Sequence, residues 1–390
     1  MSAAPVYDPY DYAIDEDPYP VYRWMQDEAP AYYNAEHDFY ALTRYQDCLD
    51  AFIDFETYSS AYGTVLELMH GRPFEAPMII FMDPPRQTRL RNLVSKAFTP
   101  RRIAELEPRI RAIACRYLDA LVGGGEADFV AEFTAKLPMD VISTLLGIPE
   151  ADRDAVRGWS NLLLHREPGN PMPPPKALEA QARIMDYFQA ALDERRARPR
   201  DDIMTLLIQA ETSDGERLDD VELRAFFNLL ATAGNETVTK LLATAFYWLA
   251  RFPDQRRILL ADPSAIPGAV EETLRFDPPS HYQGRTLTRD VELHGRTLPK
   301  GARIAIVNGA SGRDPRKFPD PDRYDVRREI DLHLGFGFGR HICLGASLAR
   351  LESRIALEEF CLRFPEYEVT GVERMHSSNV RGLSGLTLRY

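Results

Sequence analysis

One cysteine in the chain has the surroundings of a ligand for a large, flat metal cofactor. Cys343 follows a loop that contains Gly335, Gly337 and Gly339, and it precedes a strongly helical segment. Glycine reaches backbone angles that are closed to other residues, so this loop can fold back tightly and leave space beside the sulfur. A helix predicted from about Leu344 would direct unpaired N–H groups toward the sulfur. Such groups favour a thiolate over a thiol.

Two interpretations of Cys343 are open, because most free cysteines are simply small buried hydrophobic residues. The surrounding pattern favours the ligand interpretation, since Phe336, His341 and Gly345 complete the motif F-G-x-G-x-H-x-C-x-G. This motif resembles the haem-binding loop of the cytochrome P-450 family, in which a cysteine thiolate holds the iron. The resemblance implies Cys343 as the metal ligand of haem b, with Phe336, Gly337 and Gly345 at the cofactor.

The longest predicted helix spans residues 219–252 and is apolar on most faces. Asp219 and Glu222 form a capping-box start, and Pro253 ends the helix. At 1.5 Å per residue this helix is about 50 Å long, enough to cross the molecule. The pattern therefore predicts a buried central helix.

The middle of this helix reads Ala233-Gly234-Asn235-Glu236-Thr237, which is unfavourable for a buried helix. One explanation is a kink in which the threonine bonds back to its own helix carbonyls. The other is function, since local rules are usually broken at functional sites. The segment resembles the family's oxygen-groove motif, where the helix widens beside the haem. The resemblance implies Thr237 and Glu236 as catalytic residues for oxygen binding and proton relay, with Ala233 and Gly234 at the cofactor.

A helix beginning after Pro85 carries Gln87 and Arg91 four residues apart, on one face. A solvent-exposed arginine helix is the simpler interpretation. In the family this helix usually carries H-x-x-x-R, whose side chains hold the haem propionates. The resemblance thus implies propionate contacts from Arg91, Arg285 and His341. Gln87 takes the usual histidine position and could contribute through its amide.

Glu272 and Arg275 match the E-x-x-R pair of the family, which is buried and joined by an arginine from a later loop. Arg313 is the predicted third member. The resemblance implies that this trio is structural and holds the loop that carries Cys343.

Further elements follow from hydrophobic periodicity and turn residues. Residues 58–82 lack a clear period and are predicted to form a substrate-facing loop. The proline-rich segment 167–177 is either a rigid linker or, by resemblance, a lid over the substrate pocket. The other predictions are a helix over 19–30, a β-hairpin over 31–45, helices over 101–165 with breaks at 123–125 and 147–149, and strands over 280–307 and after 364.

Composition limits the partners and the compartment. The 390 residues are 45% hydrophobic and carry a net charge of −12, which argues against nucleic acid as a partner. The acidic N-terminus has neither the basic start of a signal peptide nor a membrane anchor. The remaining cysteines, Cys48, Cys115 and Cys361, predict no disulfide framework, so a reducing cytoplasm is expected. An arginine cluster over 86–102 is either a solvated face or a steering site for an acidic partner.

The resemblance extends along nearly the whole chain and implies one triangular domain over residues 1–390. The implied fold is mainly α with small β-sheets, and haem lies between the central helix and the cysteine-loop helix. A β-rich corner is expected from about 30–45, 280–307 and 365–390.

The implied activity is that of a soluble, monomeric, bacterial-type monooxygenase. It would insert one atom of O2 into an apolar organic substrate, such as a lipid, sterol, terpenoid or other secondary metabolite, by hydroxylation or epoxidation. Electrons would come from a ferredoxin-type donor with its NAD(P)H reductase, docked near Arg340 and the 86–102 arginines. Two alternatives are a peroxide-driven haem peroxygenase and a non-catalytic haem sensor or carrier.

Overall fold

The fold is mainly helical, as the sequence predicts. The computed structural model describes residues 5–164, 172, 174–212, 215–377 and 379–390. The α-helices of these residues are α1 (Tyr12–Glu16), α2 (Tyr19–Glu28), α3 (Tyr45–Ile53), α4 (Arg86–Val94), α5 (Pro100–Ala104), α6 (Glu107–Asp119), α7 (Lys136–Leu146), α8 (Glu150–Leu164), α9 (Pro175–Ala197), α10 (Ile203–Gln209), α11 (Asp220–Arg251), α12 (Pro253–Ala261), α13 (Ile266–Phe276), α14 (Asn308–Ser311) and α15 (Ala346–Arg363).

The β-strands form small sheets at the edges of this helical body. They are β1 (Ala31–Asn34), β2 (Phe39–Leu42), β3 (Tyr58–Ser59), β4 (Glu126–Asp128), β5 (Gln283–Leu287), β6 (Val291–Leu293), β7 (Arg296–Leu298), β8 (Arg303–Ile306), β9 (Glu368–Arg374) and β10 (Leu383–Arg389). The largest sheet has the order β1-β2-β8-β5-β3, in which β2 and β8 pair in parallel and the other pairs are antiparallel. This sheet confirms the hairpin predicted over 31–45. β5 and β8, together with the separate antiparallel pair β6–β7, confirm the strands predicted over 280–307.

The C-terminal strands belong to a different sheet. β9 and β10 pair with each other, and β10 also pairs with β4, from Thr387↔Asp128 to Arg389↔Glu126. The prediction of helices alone over 101–165 was wrong at β4, because three residues after the glycine break are too few to show an alternating pattern. A single domain over the whole chain stays a prediction.

Helix α11 runs through the centre of the helical body. Its start is the predicted capping box, in which Asp219 Oδ1 accepts from the Glu222 N–H and Glu222 Oε2 accepts from the Asp219 N–H. Helices α7, α8, α9, α13 and α15 all pack on it. Phe246 of α11 stacks on Phe360 of α15 with ring centroids 4.1 Å apart. The central helix is therefore in direct contact with the helix that follows Cys343.

A buried ion pair holds the end of α13 against the later loops. Arg275 Nε and Nη2 donate to the two carboxylate oxygens of Glu272 over 2.6 and 2.7 Å, and both side chains are fully buried. The Glu272–Arg275 pair is thus as predicted. The third arginine is Arg328, whose Nε lies 3.3 Å from Glu272.

The assignment of Arg313 to this trio was wrong. Its guanidinium lies between two aromatic rings, 3.4 Å from the ring centroid of Tyr19 and 3.5 Å from that of Phe276. Its Nε donates to the carbonyl of Phe276 over 2.9 Å. Arg313 therefore ties the N-terminal helices to the end of α13 and has no place beside Glu272.

Two predicted pocket segments have different outcomes. Residues 58–82 are irregular as predicted, with β3 and two short 3-10 turns at Leu66–Leu68 and Ile79–Phe81. The proline-rich segment 167–177 lies mostly outside the described residues, so its role as a lid stays a prediction. Within the described ranges, no helix combines the length and the apolar character needed to span a membrane.

Candidate functional site

The backbone path of the loop before Cys343 depends on its glycines. Gly337 and Gly339 have φ angles of +66° and +70°, in the left-handed region that other residues rarely adopt. A side chain on Gly339 would place its Cβ 2.5 Å from the carbonyl oxygen of Phe52, and one on Gly335 would lie 2.6 Å from that of Leu274. The loop is therefore pressed against α3 and the end of α13.

Cys343 differs from the other cysteines in its surroundings. It is exposed, whereas Cys48 and Cys361 are buried. Many protein groups nonetheless surround its sulfur, which places the thiol in a recess. A small buried hydrophobic role does not fit an accessible sulfur, so the ligand interpretation is favoured.

The Gly345 N–H favours the thiolate of Cys343, in the predicted direction, but it does not outweigh burial. Burial raises the pKa of the Cys343 thiol, and the Gly345 N–H, Arg91 and Arg350 offset this only in part. The helix also begins later than predicted, at Ala346 with Gly345 as its N-cap. A metal ion deprotonates a coordinating thiol directly, so ligation does not require a low pKa in the protein alone.

Three basic side chains lie near Cys343, and among the described residues none of them forms an ion pair with a carboxylate. Arg285 is 4% exposed, and the hydrogen bond described for its guanidinium goes to the carbonyl of Gly284. Burial lowers the pKa of Arg285 to about 10, and the nearby Asp83 offsets this only partly. Asp83 itself accepts from Ser59 and from the Ser60 N–H, so it is turned toward those groups.

His341 and Arg91 complete this basic cluster. Burial and the neighbouring Arg285 lower the pKa of His341 to about 3, so its ring is neutral at pH 7. Its buried Nε2 has no hydrogen-bond partner among the described residues. Arg91 also lies close enough to lower the pKa of His341, and burial lowers the pKa of Arg91 as well. One buried and one partly buried guanidinium group, with an imidazole nitrogen that has no described partner, fit a ligand with carboxylates, such as the propionates of haem.

Gln87 has a partner of another kind. It is 1% exposed, and its Nε2 donates to the carbonyl of Arg340 over 2.8 Å. The amide thus ties α4 to the backbone just before Cys343. A contact between Gln87 and a propionate stays a prediction.

The middle of α11 has one accessible face in an otherwise buried helix. Ala233 is exposed and Thr237 partly exposed, while Asn235 and Glu236 are buried. Because Ala233 lies near the midpoint of a 32-residue helix, its exposure indicates a recess inside the molecule. Gly234 faces α7 and not this accessible face, since a Cβ on Gly234 would be 3.4 Å from Ile142 of α7. A Cβ at this position would make an ordinary contact with α7, and a contact between Gly234 and the cofactor stays a prediction.

Thr237 makes the back-bond of the kink interpretation. Its Oγ1 donates to the carbonyl of Ala233 over 2.7 Å. The chain nevertheless stays α-helical from Asp220 to Arg251. The widening of the helix that the resemblance implies therefore does not interrupt the helix. A hydroxyl that donates one hydrogen bond still has lone pairs to accept another. Both the back-bond and a functional role for Thr237 are compatible with this geometry.

Sequence reasoning missed a polar network on the cysteine side of the loop. Arg350 donates through Nε and Nη2 to the two oxygens of Glu271 over 2.7 and 2.9 Å. His333 Nε2 lies 2.9 Å from Glu271, and its Nδ1 accepts from the Gly335 N–H. Arg350 also lies over the ring of Phe336, 4.7 Å from its centroid. The only sequence signal was Glu271, the first glutamate of the Glu271-Glu272 pair, which the E-x-x-R motif leaves unused.

We expect this network to make stability depend on pH below about 4.5. Partial burial raises the pKa of Glu271, but hydrogen bonds from His333 and Arg350 outweigh it and lower the pKa to about 2. A lowered pKa gives stability above the unfolded value of about 4.3, and that stability is lost as the pH falls toward 2. Because the side chain is 30% exposed, the contribution should be about 1–2 kcal/mol.

The measurement is the urea midpoint of wild type and Glu271→Gln at pH 6 and pH 3. Wild type should be the more stable at pH 6, and the difference should shrink at pH 3. Glu368→Gln is the control, because Glu368 forms an exposed pair with Arg389 and should change little at either pH. A difference between wild type and Glu271→Gln that is the same at both pH values would contradict the assignment.

The arginine cluster predicted to steer a partner is divided by the fold. Arg89 donates to Glu222 at the start of α11 over 2.7 Å, and Arg91 faces the basic cluster near Cys343. Arg86, Arg101, Arg102 and Arg340 are exposed. Only these four remain available to an acidic partner.

The predicted residues thus form two groups that face recesses in the helical body. Gln87, Arg91, Arg285, His341 and Cys343 lie around the cysteine loop, and Ala233, Glu236 and Thr237 lie on α11, which packs against α15.

Comparison with known proteins agrees with this arrangement. The family model described as Cytochrome P450 matches residues 266–380, which include the Glu272–Arg275 pair and the cysteine loop. A putative cytochrome P450 123 of Mycobacterium tuberculosis (strain ATCC 25618 / H37Rv) is 46% identical over 388 residues, covering 98% of this chain and 96% of the relative. A vitamin D(3) 25-hydroxylase of Pseudonocardia autotrophica is 38% identical over 380 residues, covering 95% of this chain and 93% of the relative.

A solved structure gives the same result for the fold. Cytochrome P450 CYP109Q5 from Chondromyces apiculatus superposes with a TM-score of 0.91 at 34% sequence identity. The match covers 98% of this chain and 97% of that one. The mainly α architecture with small sheets is therefore shared over nearly the whole length.

Proposed function

The chain belongs to the cytochrome P450 family, with its haem b and its monooxygenase chemistry, and from this premise we propose a specific reaction and electron source. The proposed reaction is hydroxylation or epoxidation of an apolar organic substrate by one atom of O2. The proposed electron source is a separate ferredoxin-type protein with its NAD(P)H reductase. The observation that carries the proposal is the convergence of Arg91, Arg285 and His341 beside the accessible Cys343.

Each group of residues has a distinct task in this proposal. Cys343 provides the thiolate ligand, and Arg91 and Arg285 neutralise the carboxylates of the haem while His341 hydrogen-bonds them. Haem supplies the redox chemistry at its iron. Thr237 presents a hydroxyl on the accessible face of α11, where it can accept or pass on a proton. Glu236 stands next to it in the chain as the acid that relays protons. The apolar packing around α11 keeps other water away from this path.

The substrate class is proposed as lipid-like and polycyclic. The name of the Pseudonocardia relative gives vitamin D(3) as the compound that it hydroxylates, and this chain matches 93% of that relative. The irregular segment 58–82 offers apolar surface of the matching kind, since Phe74 and Phe81 stack with centroids 4.4 Å apart. Optical titration against sterols, secosteroids, fatty acids and macrolides tests this class. A shift from low to high spin is expected with the sterol-like compounds first.

We expect Thr237→Ala to separate NAD(P)H oxidation from product formation. Without the hydroxyl, proton delivery loses its last donor, so reducing equivalents leave as peroxide. Product per NAD(P)H should fall about tenfold or more, since general acid–base catalysis typically contributes about 10²–10⁴-fold. The measurement is product and hydrogen peroxide per NAD(P)H oxidised, with a ferredoxin and reductase supplied.

Thr239→Ala is the matched control for this experiment. Thr239 makes the same back-bond, from Oγ1 to the carbonyl of Asn235 over 3.0 Å, but it is buried on another face of the same helix. It should leave the ratio of product to NAD(P)H unchanged. Equal ratios in wild type and Thr237→Ala would show that the hydroxyl has no part in proton delivery.

The two alternatives have their own signatures. Turnover with hydrogen peroxide as fast as with the ferredoxin system would favour a peroxygenase. NAD(P)H oxidation that never exceeds background, with any ligand that shifts the spin state, would favour a sensor or carrier.

A further inference from the structure

The central helix carries a buried ammonium group that the chemistry described above does not use. Lys240 lies one turn beyond Glu236 and is 4% exposed. Its Nζ lies 3.2 Å from Oε2 of Glu236, and the side chains are 5% and 9% exposed. An unpaired charge at this depth would be strongly unfavourable, so each of the two groups requires the other.

The backbone around Lys240 leaves its side chain little freedom. Gly382 stands just before β10 with a φ of +152°, and a Cβ there would lie 2.5 Å from Cβ of Lys240. The same added atom would lie within 3 Å of Cγ and Cδ of the lysine. The C-terminal hairpin thus closes directly over the aliphatic part of Lys240. The ammonium group is held at one place along the helix.

The second carboxylate oxygen of Glu236 is held from another helix. The amide of Asn161 in α8, with its nitrogen facing the carboxylate, donates to Glu236 Oε1 over 2.8 Å and to the carbonyl of Arg157 over 3.3 Å. Glu236 therefore has one donor from its own helix and one from α8. With both oxygens held, the carboxylate stays next to the turn that presents Thr237.

We propose that Lys240 is a positioning residue for proton delivery, acting by holding the Glu236 carboxylate in place beside Thr237. This inference rests on the proposed monooxygenase function. Lys240 itself neither gives nor takes the transferred proton, which moves through the carboxyl group of Glu236. Without the ammonium, the buried carboxylate loses its counter-charge, so its position between α8 and α11 becomes unfavourable.

The test compares Lys240→Met, Lys240→Arg, Glu236→Gln and the Glu236→Gln/Lys240→Met double variant. Each is assayed with ferredoxin, reductase and a ligand that shifts the spin state of the wild type. In Lys240→Met, product per NAD(P)H should fall about tenfold, as expected for a misplaced catalytic group, and the solvent deuterium isotope effect on kcat should change. Lys240→Arg, which keeps the charge, should retain most of the coupling. The double variant should be no worse than Glu236→Gln alone.

Lys136→Met is the matched control. Lys136 forms the same Glu-x-x-x-Lys pair with Glu132, at 2.7 Å, but the side chains are 29% and 50% exposed. It should leave coupling and the isotope effect unchanged. The carbon monoxide spectrum and thermal midpoint of every variant show whether the folded haem protein is intact.

Three outcomes would overturn the inference. They are unchanged coupling in folded Lys240→Met, a further loss in the double variant beyond Glu236→Gln, or a failure of Lys240→Arg to restore coupling in a folded protein. A wild type that never oxidises NAD(P)H above background would contradict the proposed function and this inference together. If the wild type turns over and Lys240→Met gives the same product per NAD(P)H, the inference alone is contradicted.

Discussion

Cys343→Ser is expected to abolish the strongly red-shifted Soret band of the reduced carbon monoxide complex. A serine hydroxyl is far less acidic than a thiol and a poor soft ligand, so it could not replace the proposed sulfur–iron bond. Loss of the bond should also end turnover, because cleavage of the O–O bond depends on the electron density that the thiolate supplies. The measurement is the difference spectrum of the dithionite-reduced protein with and without carbon monoxide.

The chain provides a matched control for this substitution. Cys115→Ser changes a partly exposed thiol on α6, whose Sγ donates to Glu359 Oε2 over 3.3 Å. Serine can make the same hydrogen bond, so the spectrum should match wild type. If Cys343→Ser kept the full red-shifted band, Cys343 could not be the iron ligand.

Features that depend on neighbours in the sequence were predictable. The capping box of α11 needs only Asp219 and Glu222 three residues apart, and it is present as expected. The pairing of Glu272 with Arg275 is likewise local, since residues three apart lie on the same helix face. The glycines before Cys343 were predicted from backbone freedom, and two of them have positive φ angles.

Features that depend on how distant loops meet were not predictable in the same way. Arg313 and Arg328 both lie in the loops between α14 and the cysteine loop, and the sequence offers no means of choosing between them. The structure places Arg328 at Glu272 because the backbone N–H of Asp325 also donates to this carboxylate, over 2.8 Å, which draws that turn inward. Arg313 is taken up by the rings of Tyr19 and Phe276.

Burial is the other quantity that the sequence did not reveal. In the sequence, Lys240 looks like an ordinary polar residue within an apolar helix. In the structure it is buried, and the turn at Gly382 packs against its side chain. The thiol of Cys343 is a similar case, because the burial that raises its pKa cannot be read from the residues next to it in the sequence.

The second large effect is expected at Glu272, whose role is structural. Its carboxylate accepts from Arg275, Arg328 and the Asp325 N–H, and it is fully buried. Glu272→Gln leaves the buried guanidinium of Arg275 without its counter-charge. Breaking a buried ion pair in this way costs about 3–5 kcal/mol, a large part of the 5–15 kcal/mol that stabilises a typical protein. The variant should therefore yield little folded protein with bound haem.

The measurements are the yield of haem-loaded protein and the urea midpoint at pH 7. Glu271→Gln is the adjacent control, because its carboxylate is partly exposed and its loss should cost no more than about 2 kcal/mol. An exposed arginine of the same loop provides a further comparison. Arg328→Met should lower the midpoint more than Arg323→Met, because the side chain of Arg323 is 65% exposed and lies 3.9 Å from Asp325. An unchanged midpoint in Glu272→Gln would mean that aromatic packing around Arg275, at 5.4 Å from Phe276 and 5.5 Å from Phe318, suffices to hold the loop.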